Sequence, residues 1–367
     1  MQTNNVNLLG QGLVLDVGGP ASAWSLVPLS DDEAERWDQL IAGYADRQIF
    51  HRQAWLDYLA ASRGVGIRKW AVRAGPRTLG YFCAGILRKG PFRILGSPLK
   101  GWGTNSMGPV LNSDVDPCGV LAAIDGLAKS ERLSMVELEH PGLRPEVMTA
   151  CGYTASTLWT YRVGLDADEG RMLKSMSKGR RSGIKRALNS GLFVEECDDL
   201  AFADTYYDQF SAVMQRKGLA PTYSREVPRL LMQALIPVGR LLALRVRDGE
   251  GQVLATGLFP YENGILYFWG GASVPERTLC PNDLLHWRAM CLGVQRGLRC
   301  YDLSGWGRFK KEFGGELVTV QRWHKCYWRS ARWARTAYEA SFRQQLRIRG
   351  LMQRVFPPEV LVSSAFL

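Results

Sequence analysis

Leu241 to Val246, the turn Arg247-Asp-Gly-Glu-Gly251, Val253 to Phe259, the turn Pro260 to Gly264, then Ile265 to Trp269 running into Gly270-Gly-Ala-Ser273: this stretch decides the fold. Three apolar, strand-forming runs separated by Gly- and Asn/Asp-bearing turns predict a three-stranded antiparallel meander. A second meander, with little identity to the first, precedes it. Trp70 to Val72 leads through Arg73-Ala-Gly-Pro-Arg77 into Thr78 to Leu87, the turn Arg88-Lys-Gly90 and Phe92 to Leu95, ending at Gly96-Ser97.

The flanks repeat as well. Helical patterns precede both meanders, Asp31 to Ser62 with a break near Gln48 and Asp198 to Leu235 with a break from Gly218 to Pro221. Behind the first come a helix around Gly119 to Lys129 and a strand from Met135 to Leu138. Behind the second come Asn282 to Arg296, opened by Asn-Asp and closed by Gly297, and a strand from Arg299 to Leu303. Helices, meander, helix and strand, twice over, predict an α/β fold of mixed type. A period of about 170 residues is too long for a solenoid and fits two equivalent domains.

The organisation expected is an N-terminal extension over 1–23, a first domain over 24–165, a second over 166–328, and a basic C-terminal helix with its tail over 329–367. Thr157 to Leu165 reads as a strand ending in Asp166-Ala-Asp-Glu169, which marks the boundary. The C-terminal helix runs from Arg329 to Arg354 and Phe356-Pro-Pro358 stops it.

A length of 367 residues suits two domains, and 46% hydrophobic with 22% charged residues is ordinary for globular chains. The eight cysteines form no C-x-x-C pair and only four histidines are present, so reduced thiols and no metal site are expected. Without a cationic N-terminal region or an apolar run near 20 residues, the reading is a cytoplasmic protein with no integral membrane segment. The net charge of +11 favours polyanionic partners such as RNA, nucleotides or an anionic membrane surface; a merely solvated basic surface is the plainer alternative.

Three strings resemble the FemABX-like transferases, members of the acetyltransferase (GNAT) superfamily. They are Arg180-Arg-Ser-Gly-Ile184-Lys-Arg-Ala187 with Gly191, the strand end Tyr267-Phe-Trp-Gly-Gly-Ala-Ser273, and Leu285-His-Trp287, Gly297 and Tyr301-Asp302 followed by Phe309-Lys310 and Phe313-Gly314. The resemblance spans about Trp24 to Trp328 and is dense only in the second half. It implies two tandem GNAT-like domains with mixed, largely antiparallel sheets flanked by helices. It also implies transfer of an amino acid from aminoacyl-tRNA, as co-substrate rather than resident cofactor, onto an amine acceptor on a peptidoglycan precursor or small molecule. No heptad run marks an inserted coiled-coil arm, so the compact branch is the match.

Acyl transfer to an amine needs a route for the amine's proton and groups that answer a developing oxyanion, but no covalent nucleophile on the enzyme. Lys310, in the glycine-bearing loop after the last strand, is the first candidate, as oxyanion or phosphate ligand; a solvated loop lysine is the plain alternative. Asp302 could take the proton or cap the loop, and Tyr267 could orient the acceptor or belong to the core. Lys174, Lys178, Arg181 and Lys185, spaced 4, 3 and 4 apart, fall on one face of a helix from Arg171 and could hold donor phosphates. By position, Arg216 and Lys217 resemble the family's phosphate-gripping residues. Trp102 and Trp306, each between glycines, and Asn105 are the candidate acceptor cleft.

A GNAT acetyl-CoA site cradles pyrophosphate on an R/Q-x-x-G-x-G/A turn, and Arg180-Arg-Ser-Gly183-Ile-Lys185 lacks its last small residue. An acyl-CoA-dependent N-acyltransferase acting on an amino sugar or polysaccharide precursor is the second reading. A non-catalytic RNA- or membrane-surface-binding protein using the C-terminal helix is the third.

Overall fold

The computed structural model describes residues 24–276 and 278–355; the expected extension over 1–23 and the tail beyond 355 lie outside the described residues. In the first half the order is β1 (Trp24–Pro28), α1 (Asp31–Glu35), α2 (Trp37–Leu40), a 3-10 turn (Ile49–His51) and α3 (Gln53–Arg63). The meander β2 (Gly66–Ala74), β3 (Arg77–Lys89) and β4 (Phe92–Ser97) follows. Then come β5 (Val110–Leu111), α4 (Pro117–Ser130), β6 (Met135–Leu138), α5 (Pro145–Ala150) and β7 (Thr154–Gly164).

The second half opens with α6 (Glu169–Ser175), α7 (Lys178–Asn189), β8 (Phe193–Glu196), α8 (Ala201–Arg216) and α9 (Glu226–Leu235). Its meander is β9 (Leu241–Arg247), β10 (Val253–Glu262), β11 (Ile265–Tyr267) and β12 (Gly270–Ser273). It closes with α10 (Pro281–Gln295), β13 (Cys300–Asp302), α11 (Arg308–Lys311), β14 (Glu316–Cys326) and α12 (Arg329–Val355).

The two meanders form where their turns place them. Asn263 and Gly264 both have positive φ (49° and 81°), the geometry that a two-residue hairpin needs and that Asn-Gly adopts most readily. All the described strands join one mixed, mostly antiparallel sheet of 14 strands, ordered β1-β2-β3-β4-β6-β14-β7-β13-β11-β10-β9-β8, with β5 beside β3 and β12 beside β10. The fold class is the one the sequence predicts.

Four details depart from the sequence reading. The strand Glu316–Cys326 has no counterpart in it, yet lies between β6 and β7, antiparallel to both, and buries Trp323 in the first half's core. Residues on both sides of position 165 thus share the centre of one sheet. The third run of the second meander splits at Phe268-Trp269: β11 pairs with β10 and β13, whereas β12 pairs with β10 alone. The helix expected from Arg171 breaks at Met176, because the Ser177 side chain accepts from the Arg180 amide and starts a new helix there. Finally, Asn282 and Asp283 do not cap α10. Cys280 occupies the cap position, Pro281 is the first helical residue, Asn282 Nδ2 donates to Ser273 Oγ, and Asp283 pairs with Arg180.

The halves are welded by a shared core. Trp37, Phe50, Trp55 and Tyr58 pack in one cluster with Phe202, Tyr206, Leu231 and Tyr267. Each such side chain contributes about 1.5–3 kcal/mol by leaving water. Polar contacts follow the same seam, where Glu262 of β10 meets Arg240 at 2.7 Å and Arg52 of the first half at 3.0 Å.

Candidate functional site

Where the halves meet, a cleft of about 550 Å³ opens over the central strands β7 and β14. Its walls come from Gln48, the loop Asn105–Ser106, Glu139, β7, β13 and the loop Ser304–Trp306. The register pairs Asp302 of β13 with Arg162 of β7, which places acid and base side by side on the sheet. Asp302 Oδ2 accepts from Arg162 Nε at 3.0 Å, and Oδ1 accepts from Thr160 Oγ1 at 2.6 Å and the Ser304 amide at 2.8 Å. A carboxylate accepts about four hydrogen bonds, so Asp302 keeps capacity for one more partner. Its carboxylate is buried while the Arg162 side chain is 38% exposed.

Tyr267 is buried beside this pair and its hydroxyl donates to Gln48 Oε1. Burial, and the Asp302 charge after it, hold the phenol well above its ordinary range, so it stays protonated. On the opposite wall Glu139 accepts from Arg322 Nε at 2.6 Å and from the Ser106 amide at 3.3 Å. Trp306 is 70% exposed at the mouth, edge-on to Trp159 with ring centroids 6.4 Å apart. Asn105 Nδ2 reaches Ser304 Oγ at 3.4 Å.

The structure thus brings Tyr267, Asp302, Asn105 and Trp306 into one cleft and leaves the other candidates outside its lining. Lys310 sits behind the loop, its Nζ donating to the Leu303 carbonyl at 2.7 Å and the Ser304 carbonyl at 3.3 Å, 5.4 Å from the Phe268 ring. Burial lowers its pKa to about 8, against the pull of Asp302. Its neighbours explain the F-K-x-x-F string. The buried Arg180 guanidinium lies 4.2 Å from the Phe309 ring and 4.7 Å from Phe313, while pairing with Asp283 and Glu312. Those two phenylalanines clamp the arginine, and Lys310 pins the loop that lines the cleft.

Trp102 is buried in the shared core, against Gly85, and is no cleft residue. The four-cation stripe does not form. Lys174 lies on a separate short helix, and the Arg181 guanidinium folds back onto the Lys174 and Met176 carbonyls; Lys178 and Lys185 remain exposed on α7. Arg216 is spent on the Ser273 carbonyl at 3.0 Å, and Lys217 is an exposed helix-end residue.

Sequence reasoning missed Gln48, Thr160, Arg162 and Glu139. It also gave no sign of how the turn ahead of α10 is filled. Glu276 accepts there from the Leu279 amide at 3.1 Å and from the Thr278 amide, and α7 presses on the first turn of α10 so closely that a Cβ at Gly183 would lie 1.9 Å from Asp283 Oδ2.

Residues 174–314 match the model of an acetyltransferase (GNAT) domain. The structure is similar to that of FemX, with a TM-score of 0.66 at 14% identity over 81% of this chain and 96% of FemX. It is similar to the C-terminal domain of a putative lysylphosphatidylglycerol synthetase from Agrobacterium fabrum, with a TM-score of 0.54 at 12% identity over 84% of this chain and 95% of that one. A tandem GNAT protein from the clavulanic acid biosynthesis pathway gives 0.53 at 13% identity over 83% and 98%. No curated protein matches the sequence.

Proposed function

We propose, from a chain whose fold is FemABX/GNAT-like, that this protein is an acyltransferase whose reaction takes place in the cleft between its halves, forming an amide on an amine acceptor with aminoacyl-tRNA as donor. The observation that carries the reading is the Asp302–Arg162 pair with its spare acceptor position, open to a cleft that Tyr267 and Gln48 also line. The acceptor amine attacks the ester carbonyl of the donor. The new C–N bond forms, the ester C–O bond breaks, and the tRNA hydroxyl leaves. Asp302 takes the proton that the amine sheds and returns it to the departing oxygen. Arg162 supplies positive charge to the oxyanion in between.

Three features support tRNA over acyl-CoA. The net charge of +11 suits a polyphosphate donor. The turn between β12 and α10 spends its Thr278 and Leu279 amides on the chain's own Glu276, leaving them unavailable to a pyrophosphate. The FemABX resemblance implies the same donor. An acyl-CoA-dependent N-acyltransferase is the second reading, favoured by the similarity to the tandem GNAT protein. Purified protein incubated with charged total tRNA and a panel of primary amines, with acetyl-CoA added in parallel, separates the two. Amine-dependent loss of the aminoacyl ester with new amide supports the proposal. Amide formed only when acetyl-CoA is present would replace it with the second reading.

A further inference from the structure

Helix α12, Arg329–Val355, carries seven arginines against the single acid Glu339. One face of its first half is tied to the body of the protein. Ala331 is buried, Arg335 pairs with Glu137, and Lys89 Nζ lies 4.3 Å from the Tyr338 ring. At 100° per residue, Trp333 points about half a turn away from Ala331 and Arg335. It is 76% exposed, and Ala337, Ala340, Gln344 and Ile348, the last 49% exposed, continue its stripe at spacings of 4, 3, 4 and 4. Arg329 and Arg332 border the stripe and are exposed too.

We infer that α12 is a surface-seeking helix that lays this stripe on an anionic lipid bilayer. A mostly apolar stripe led by a tryptophan and edged with arginines is the pattern of a helix lying in a membrane interface. Anionic headgroups complement the arginines, and the acyl boundary takes the tryptophan and isoleucine. RNA would answer the charges but leave Ile348 and the two alanines against water. The helix lies on the bilayer and does not cross it, since no described helix is long and apolar enough to span one. Arg335 joins α12 to Glu137, which Arg322 approaches at 3.8 Å, so the lipid-facing helix is fastened to the wall of the cleft.

Flotation of the full-length protein with vesicles tests this. With vesicles of 30% phosphatidylglycerol in phosphatidylcholine the protein rises with the lipid, and with phosphatidylcholine alone it stays behind. Arg329→Glu with Arg332→Glu lowers the lipid-bound fraction at least tenfold, and Trp333→Ser lowers it several-fold, while circular dichroism and amide formation in solution match the parent chain. Failure of the parent chain to float with anionic vesicles overturns the inference, as does flotation unchanged in both variants. It is overturned equally if the arginine pair proves to bind uncharged tRNA, seen as variants that lose tRNA and keep lipid.

Discussion

The two halves end an inner strand in the same way and use it differently. At the end of β6, Glu139 meets Arg322 of β14, one step beyond the ladder pair Trp323↔Leu138. At the end of β13, Asp302 meets Arg162 of β7. In the first pair the arginine side chain is 9% exposed, and in the second 38%. The first is closed in by Glu137 and, through it, by Arg335 of α12. The second is bounded by a loop that touches Asp302 through the Ser304 amide and leaves Arg162 partly exposed, with Ser304, Gly305 and Gly307 all at positive φ, a shape held by Lys310 from behind. One scaffold repeated gives an enclosed ion pair on one side and, on the other, a more open one, which is the pair proposed to react.

The comparison breaks first at Arg322. Its replacement by Met leaves Glu137 and Glu139 buried beside a neutral chain and lowers stability by about 3–5 kcal/mol, read from urea unfolding. Arg162→Met leaves Asp302 its Thr160 and Ser304 partners and access to the cleft. It costs only about 1 kcal/mol of stability, yet lowers the rate of amide formation by about 100-fold or more. If both variants unfold alike, the halves do not differ as described.

Lys310→Met frees the loop and lowers kcat by up to about 100-fold through misplacement alone. The same variant sharpens the account through pH. Because the folded pKa of about 8 lies below the ordinary lysine value of 10.5, the unfolded chain binds the extra proton between those values, and this lysine's contribution to stability rises with pH across that window. The stability difference between parent and variant therefore grows in the parent's favour from pH 8 to 10. A flat difference would mean that Lys310 is not desolvated behind the loop. Smallest is Trp306→Ala, which removes one exposed ring from the cleft mouth and raises the acceptor KM a few-fold with kcat kept.

Much of this was legible in the sequence because it is local. Both meanders, α10 with its glycine stop and the C-terminal helix follow from turn residues and spacing. Tyr267, Asp302, Asn105 and Trp306 stand beside the strand ends and glycine turns that sequence reasoning searches for. What it missed depends on partners far along the chain. Gln48 meets Tyr267 across 219 residues, and Thr160 meets Asp302 across 142. The strand Glu316–Cys326 lacks clean alternation, since it runs through the open centre of the sheet and buries few of its side chains. Lys174, Lys178, Arg181 and Lys185 matched helical spacing, but Ser177 restarts the helix, and spacing carries no phase across such a break. Arg180, next to the stripe and unremarked as a site, is the arginine of this helix that the fold buries.

The central claim is that Asp302, and not Glu139, takes the proton of the reacting amine. It is tested most directly by comparing single-turnover amide formation from charged tRNA in Asp302→Asn and Glu139→Gln, each at a temperature where circular dichroism shows it folded. Asp302→Asn should slow the step by about 10²–10⁴-fold with KM little changed, and Glu139→Gln should lower stability while leaving the rate of the folded fraction within a few-fold. Full-rate transfer by Asp302→Asn, or a loss of rate confined to Glu139→Gln, would contradict the account.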